Sequence, residues 1–200
     1  MDAMTPKNIL LRKDMIHCLE GGDPTGIPVI LLHGMKFQAA TWQELGTLDC
    51  LAGLGLHVLA VDMPGFGLSP VCGHEPDEVL HRCVEHLGGE KVALVGPSMG
   101  GRIALEFSIN NPELLAGLVL VGAVGVQENR SGLSRITAPT LIVWGAEDKV
   151  SPFTNSDILL AGIAGSQRVI FPEAPHPCYL TQPDRWHECL RTFFIPLAVC

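Results

Sequence analysis

The chain has 200 residues, a length typical of one domain that buries about 70% of the surface exposed by its unfolded form. Hydrophobic residues make up 47% of the sequence and charged residues 17%, which excludes an intrinsically disordered chain. The formal net charge is −8 and there is no basic cluster, which argues against nucleic acid or an anionic membrane as partner. We therefore predict a single domain over residues 1–200.

The first twenty residues contain no uninterrupted apolar segment of signal-peptide length, and no stretch approaches the roughly 18 apolar residues of a membrane span. We therefore expect a cytoplasmic protein that contacts no membrane, with the nucleus as an alternative location.

The cysteines are odd in number, scattered, and never spaced as Cys-x-x-Cys. In a domain with a large core this pattern favours free thiols in a reducing compartment, and it contains no zinc-ligand spacing. We expect neither a disulfide framework nor a metal site from the seven, which are Cys18, Cys50, Cys72, Cys83, Cys178, Cys189 and Cys200.

Strand and helix patterns alternate along the chain. Apolar runs predict strands over residues 8–12, 15–19, 28–33, 57–61, 91–95, 118–121, 140–144 and 168–171. Helical patterns cover residues 41–54, 76–87, 102–107, 152–163 and 184–194, with Thr41 as a predicted N-cap and Pro76 in a first turn. This alternation predicts an α/β fold with a mostly parallel sheet, helices on both faces and an antiparallel edge formed by the first two strands.

Gly96-Pro97-Ser98-Met99-Gly100 fits Gly-x-Ser-x-Gly and lies between a predicted strand and a predicted helix. A serine on such a sharp turn is held outward, where its hydroxyl oxygen can attack a substrate. Side chains at the two glycines would collide as strand and helix close on each other. We therefore predict Ser98 as a catalytic nucleophile, the alternative being a glycine-rich connection in a doubly wound sheet.

A serine nucleophile needs a base, and the base needs a partner that fixes its tautomer. Asp148 and His176 each follow a predicted apolar strand, in the order Ser, Asp, His that this kind of sheet requires. We predict both as catalytic, with Glu147 as the competitor for the acidic role. The alternatives are a structural helix carboxylate and an ordinary loop histidine.

The turn after the strand at residues 28–33 carries a second prediction. His33-Gly34 ends that strand, and the backbone N–H of Met35 is a candidate oxyanion donor. The N–H of Met99, at the start of the nucleophile helix, is the other. We interpret the His33 ring as structural, bonding backbone within the turn.

Asp62-Met63-Pro64-Gly65-Phe66-Gly67-Leu68-Ser69 follows another strand. It is not Gly-x-Gly-x-x-Gly and lacks the lysine of a phosphate-binding loop. We interpret it as a structural turn in which Asp62 and Ser69 bond backbone.

These motifs together resemble the α/β-hydrolase superfamily over nearly the whole chain. The stretches His33–Phe37, 41–48, Pro97-Ser98, 176–180 and Trp186-His187 are also similar to the small CIB-like subfamily, abhydrolase-domain fourteen. The resemblance implies an α/β-hydrolase fold and a serine hydrolase acting on small acyl esters or amides through an acyl-enzyme. It also implies that acyl transfer to coenzyme A is an alternative, with acetylated lysine or a protein as partner, and that hydrolysis needs no metal or organic cofactor.

The connection from Gly122 to Pro139 spans only 17 positions, too short for the helical lid domain of many such enzymes. We therefore expect an open site. Residues with two open interpretations, acyl pocket or ordinary core, are Met35, Phe37, Val124, Phe153 and Tyr179.

A protein-interaction module on a hydrolase scaffold stays open, because the three residues alone do not prove turnover. A dehalogenase would want a carboxylate in place of Ser98. The role of Cys178, two residues past His176, also stays open.

Overall fold

The computed structural model describes residues 4–198 of the chain, and the side chains of residues 4–197. Its eight strands are β1 Thr5–Leu11, β2 Asp14–Gly22, β3 Pro28–Leu31, β4 His57–Val61, β5 Val92–Pro97, β6 Leu115–Val121, β7 Thr140–Gly145 and β8 Gln167–Phe171. Its helices are α1 Ala39–Glu44, α2 Thr47–Ala52, α3 Pro76–His86, α4 Ser98–Asn110, α5 Thr154–Gly162, α6 Cys178–Thr181 and α7 Pro183–Ala198.

All eight strands form one sheet in the order β1-β2-β4-β3-β5-β6-β7-β8. The pairs β1–β2 and β2–β4 are antiparallel, and every other neighbouring pair is parallel. The predicted α/β architecture with an antiparallel edge is confirmed.

Alternate residues of the central strands face two separate hydrophobic cores, which is why these strands are continuous apolar runs. On one face, Ile30, Leu94 and Ile142 pack under α3, α4 and α5. On the other, Val29 and Val95 pack under α1, α2, α6 and α7. The sheet is thereby packed on both faces, and the loops of the predicted site begin at its carboxyl edge.

The predicted helix over residues 41–54 is wrong in detail. It is two short helices, because Gly46 adopts φ +78° between α1 and α2. Thr41 is not the N-cap: Gln38 holds that position, and the Thr41 hydroxyl accepts a hydrogen bond from the Gln38 backbone N–H. Pro76 lies in the first turn of α3 as predicted.

Between β6 and β7 the chain forms a single 3₁₀ segment, Arg130–Arg135, and no lid domain, as predicted. None of the helices among the described residues is long and apolar enough to cross a bilayer. The six described cysteines are free thiols, while Cys200 lies outside the described residues.

Candidate active site

Ser98 is the first residue of α4 and has φ +52°, a left-handed conformation rarely adopted by a residue with a side chain. The turn is tight because strand and helix touch: a Cβ added at Gly96 would lie 2.3 Å from the carbonyl oxygen of Gly100. A Cβ at Gly100 would lie 2.7 Å from the carbonyl oxygen of His33, in the loop that follows β3. Both glycines are therefore needed for close packing, and the serine is held half-buried at the carboxyl edge of the sheet.

His176 and Asp148 are bonded to each other. Nδ1 of His176 lies 2.7 Å from Oδ2 of Asp148, whose side chain is 2% exposed. Oδ1 of the same carboxylate accepts the backbone N–H groups of Val150 and Ser151, each at 2.8 Å. The ionised carboxylate is thus fixed by three contacts, and it requires the proton on Nδ1, which leaves Nε2 as an acceptor.

Glu147, the competing acid, is exposed, and only its backbone N–H is bonded nearby, to the carbonyl of Ala174. The backbone accounts for this difference. The turn after β7 places Asp148 against the loop that follows β8, and its neighbour faces solvent. The geometry therefore favours Asp148 as the partner of the histidine.

Gly122 directly follows β6 and is a site residue that the sequence motifs did not predict. It has φ +51°, and a Cβ there would lie 2.9 Å from Oδ2 of Asp148 and 3.0 Å from Nδ1 of His176. The position after a predicted strand neighbouring the nucleophile strand was the only signal that could have indicated it. Its missing side chain makes room for the bonded pair.

Ser98 and His176 line one cavity of about 450 Å³ at the carboxyl edge. Most of the remaining wall is apolar, and Lys36 is the one basic residue among its described members. These members are Gly34, Met35, Lys36, Phe37, Met99, Val124, Val150, Pro177 and Tyr179. Four of the five residues with two interpretations lie on this wall. Phe153 does not, because its ring packs under the Arg168 guanidinium at 5.2 Å. A larger groove of about 770 Å³ between β8 and α7 contains none of the predicted site residues.

The two predicted oxyanion donors, Met35 and Met99, both line this cavity beside Ser98. Met99 is the second residue of α4, in the turn where helical N–H groups lack intrahelical partners. Met35 follows the Gly34 peptide, whose carbonyl oxygen accepts hydrogen bonds from Nδ1 of His33 at 2.9 Å and from the Phe37 N–H at 3.0 Å. Burial lowers the pKa of His33, which keeps the ring neutral.

Asp62 and Ser69 bond backbone, as predicted for a structural turn. The Asp62 carboxylate accepts the N–H of Ala39 at 2.6 Å and that of Leu68 at 2.9 Å, and it bonds Nδ1 of His17 at 2.8 Å. The Ser69 hydroxyl donates to the Asp62 carbonyl at 2.7 Å. This network joins the turn to the first residue of α1, on the chain segment that follows Met35.

Under the cavity lies an aromatic cluster of Trp42, Tyr179 and Trp186. Trp42 and Tyr179 stack with ring centroids 5.0 Å apart, and Trp42 donates its indole N–H to the Leu32 carbonyl at 3.0 Å. Burial raises the pKa of the Tyr179 hydroxyl. Tyr179 thus connects the floor of the cavity to the second core.

Comparison with known proteins agrees with this architecture. The sequence model of the family described as "alpha/beta hydrolase fold" matches residues 27–135. The chain is 36% identical over 186 residues to "Putative protein-lysine deacylase ABHD14B" of Rattus norvegicus, covering 88% of this chain and 87% of that protein. It is 34% identical to "Protein ABHD14A" of Danio rerio, covering 86% of this chain and 65% of the relative.

Among solved structures, a predicted CIB-like hydrolase from Thermoplasma acidophilum superposes with a TM-score of 0.92 over 97% of this chain and 99% of its own, at 22% identity. At this sequence identity, the structural similarity shows a shared fold and nothing beyond it. The sequence matches show more, and the chain belongs to the α/β-hydrolase fold family and, within it, to the group of ABHD14 proteins.

Proposed function

We propose that the protein is a lidless serine hydrolase that removes small acyl groups through Ser98, His176 and Asp148. One observation carries the proposal: a serine on a strained turn lines the same cavity as the histidine of a bonded His–Asp pair. Nε2 of His176 takes the proton of the Ser98 hydroxyl as Oγ attacks the acyl carbonyl carbon. Asp148 holds the ring and stabilises the imidazolium that forms.

The negative charge that develops on the acyl oxygen is accepted by the N–H groups of Met35 and Met99. His176 then gives its proton to the leaving amine or alcohol, and the acyl group stays on Ser98 Oγ. Water, activated by the same Nε2, attacks the acyl carbon and releases the acid and the free serine. Each proton taken by His176 is returned, so the enzyme needs no cofactor in this cycle.

The wall of the cavity suggests the substrate class. Its apolar side chains and modest volume fit a short acyl chain, and the exposed Met35 leaves the mouth open to a large leaving group. An acylated lysine on a peptide has this shape, in keeping with the deacylase named in the rat relative. We therefore propose acylated lysine side chains as the substrate.

The test combines labelling with turnover. A fluorophosphonate should form an adduct on Ser98, and Ser98→Ala should lose both the adduct and hydrolysis of p-nitrophenyl acetate and of an acetyl-lysine peptide. Asp148→Asn should lower kcat by about 10³–10⁴-fold, because the amide stabilises the wrong tautomer. Glu147→Gln is the matched control and should turn over normally. A folded protein that forms no adduct would instead support the interaction-module alternative.

Coenzyme A is a second acyl acceptor suggested by Lys36, a basic residue that lines the cavity of an acidic protein. An ammonium there could bind the phosphates of that cosubstrate. Acetyl-coenzyme A formed from an acetyl-lysine peptide, and lost in Lys36→Gln while acetate release continues, would support it. Acetate as the sole product would leave water as the acceptor.

A further inference from the structure

A second cluster of chemically capable side chains lies at the antiparallel edge of the sheet. Asp14 begins β2, and Cys72 and His74 lie in the loop between β4 and α3. One ligand atom from each lies within 4.8 Å of the others. None of the three lines the cavity that contains Ser98.

His74 is held as a metal-binding histidine is held. Its side chain is 6% exposed, and Nδ1 lies 3.0 Å from Oε2 of Glu78, whose other oxygen pairs with Arg12 at 2.8 Å. A carboxylate on the far ring nitrogen is the usual outer partner of a histidine that ligates a metal, because it fixes the tautomer and raises the basicity of the ligating nitrogen.

The opposite ring nitrogen points to a cation. Nε2 of His74 lies 3.1 Å from Oδ2 of Asp14. If Nδ1 carries the proton donated to Glu78, the Nε2 lone pair faces an acceptor oxygen, and two acceptors in contact repel. Either a second proton or a metal ion must lie between them.

The thiol of Cys72 favours the metal ion over the proton. Cys72 is half-buried against the first core, and its sulfur lies within 4.8 Å of both other ligand atoms. Tetrahedral zinc, with bonds of about 2.0–2.3 Å, holds its ligand atoms about 3.3–3.6 Å apart, so the sulfur needs to move by no more than about 1 Å. Thiolate, imidazole and carboxylate together suit Zn²⁺ better than Mg²⁺ or Ca²⁺.

We infer that Asp14, Cys72 and His74 form a zinc site that ties the β1–β2 hairpin to the loop before α3, with Glu78 as the positioning residue of His74. Cysteine spacing did not indicate this site, because its ligands come from two segments that only the fold brings together. The fourth position of the metal is left to water. The site lies apart from the cavity that contains Ser98, and it does not depend on the function proposed for that residue.

The test uses the full chain, freed of metal by a chelator and kept reduced. Isothermal titration with Zn²⁺ alone and native mass spectrometry should give one zinc per chain, and zinc should raise the Tm. Cys72→Ala and His74→Gln should each weaken binding by at least about 10-fold, and Glu78→Gln by about 10–100-fold. Cys50→Ala removes a half-buried cysteine elsewhere and should bind zinc as the wild type does.

Cobalt identifies the ligands directly. Co²⁺ bound at this site should show a thiolate-to-metal absorption band that Cys72→Ala abolishes. Cys72 lies in a loop, so this variant gives a clear answer even if His74→Gln fails to fold. Absence of stoichiometric zinc binding, or binding that Cys72→Ala leaves unchanged, would overturn the inference and leave His74 as a structural histidine bonded to Asp14 and Glu78.

Discussion

Nε2 of His33 accepts the backbone N–H of Met63 at 3.1 Å, across the gap between the β3 and β4 loops. Because the ring is neutral, its Nδ1 must carry the proton and donate it to the Gly34 carbonyl. In a trans peptide the N–H points opposite to the C=O. His33 thereby directs the Met35 N–H away from its own ring, as the oxyanion role proposed for that N–H requires.

His33→Gln should therefore lower kcat for p-nitrophenyl acetate by about 10-fold or more with little change in KM, since a mispositioned donor weakens binding of the transition state. Steady-state kinetics on a variant shown to be folded by circular dichroism would measure this. His81→Gln, which changes a half-buried histidine of α3 that does not line the cavity, is the control. An unchanged kcat would mean that the Gly34–Met35 peptide is held without the ring.

Burial of the His33 ring should also make the free energy of unfolding depend on pH. Burial lowers the pKa of His33 in the folded state below its unfolded value of about 6.5. As pH falls below 6.5 the unfolded chain gains a proton that the folded chain does not, so stability is lost on the acid side.

The magnitude is at most about 1.4 kcal/mol per pH unit. Urea unfolding at pH 7.5 and 5.5 would measure it. The loss in free energy of unfolding should be smaller in His33→Gln than in the wild type, and comparing these two losses cancels the titration of the other histidines. Equal losses would show that the folded ring protonates as readily as the unfolded one.

Gly122→Ala should inactivate the enzyme while leaving it folded. The new Cβ would lie within about 3 Å of both Asp148 Oδ2 and His176 Nδ1, so the bonded pair must separate or shift. We expect ester turnover to fall by about 100-fold or more, and stability to fall by about 1–2 kcal/mol from the left-handed backbone alone.

Gly165→Ala separates these two effects. Gly165 has φ +73°, and an added Cβ would meet nothing within 4 Å. The control should lose similar stability and keep its turnover. If both variants lose turnover equally, the Gly122 effect comes from strain and not from the displaced pair.

Local patterns predicted the sheet well, because strands buried on both faces are continuous apolar runs and each predicted site residue directly follows one. They failed where a single residue or a distant contact decides the structure. Gly46 interrupts a helical pattern, and its position inside residues 41–54 was the available signal. Phe153 looked apolar enough for a pocket, yet a guanidinium from β8 covers its ring.

The site shows the same limit. Chain order and motif predicted Ser98, Asp148 and His176 at one sheet edge, but they left Glu147 as a competitor for the acidic role. That choice depends on a turn of one residue, which becomes visible only when the loops after β7 and β8 meet. Gly122 matters because it has no side chain, which leaves room for Asp148 and His176. Sequence patterns depend on the side chains that are present, so they did not indicate it.

Cys178 is the last open question beside the histidine. It is buried, and burial together with the charge of Asp148 raises the pKa of its thiol to about 12, so at neutral pH it is protonated and a poor nucleophile. Cys178→Ala should keep most ester turnover and cost about 1–2 kcal/mol of stability through the lost packing. His176→Ala should abolish turnover.

Iodoacetamide gives a second reading of the same thiol. In the folded protein Cys178 should be alkylated far more slowly than Cys72, whose side chain is half-buried in a loop, as peptide mass mapping over time would show. Rapid alkylation of Cys178 together with loss of turnover, or a Cys178→Ala defect as large as that of His176→Ala, would place the thiol in the chemistry. Slow alkylation and retained turnover would assign it to the core beneath the histidine.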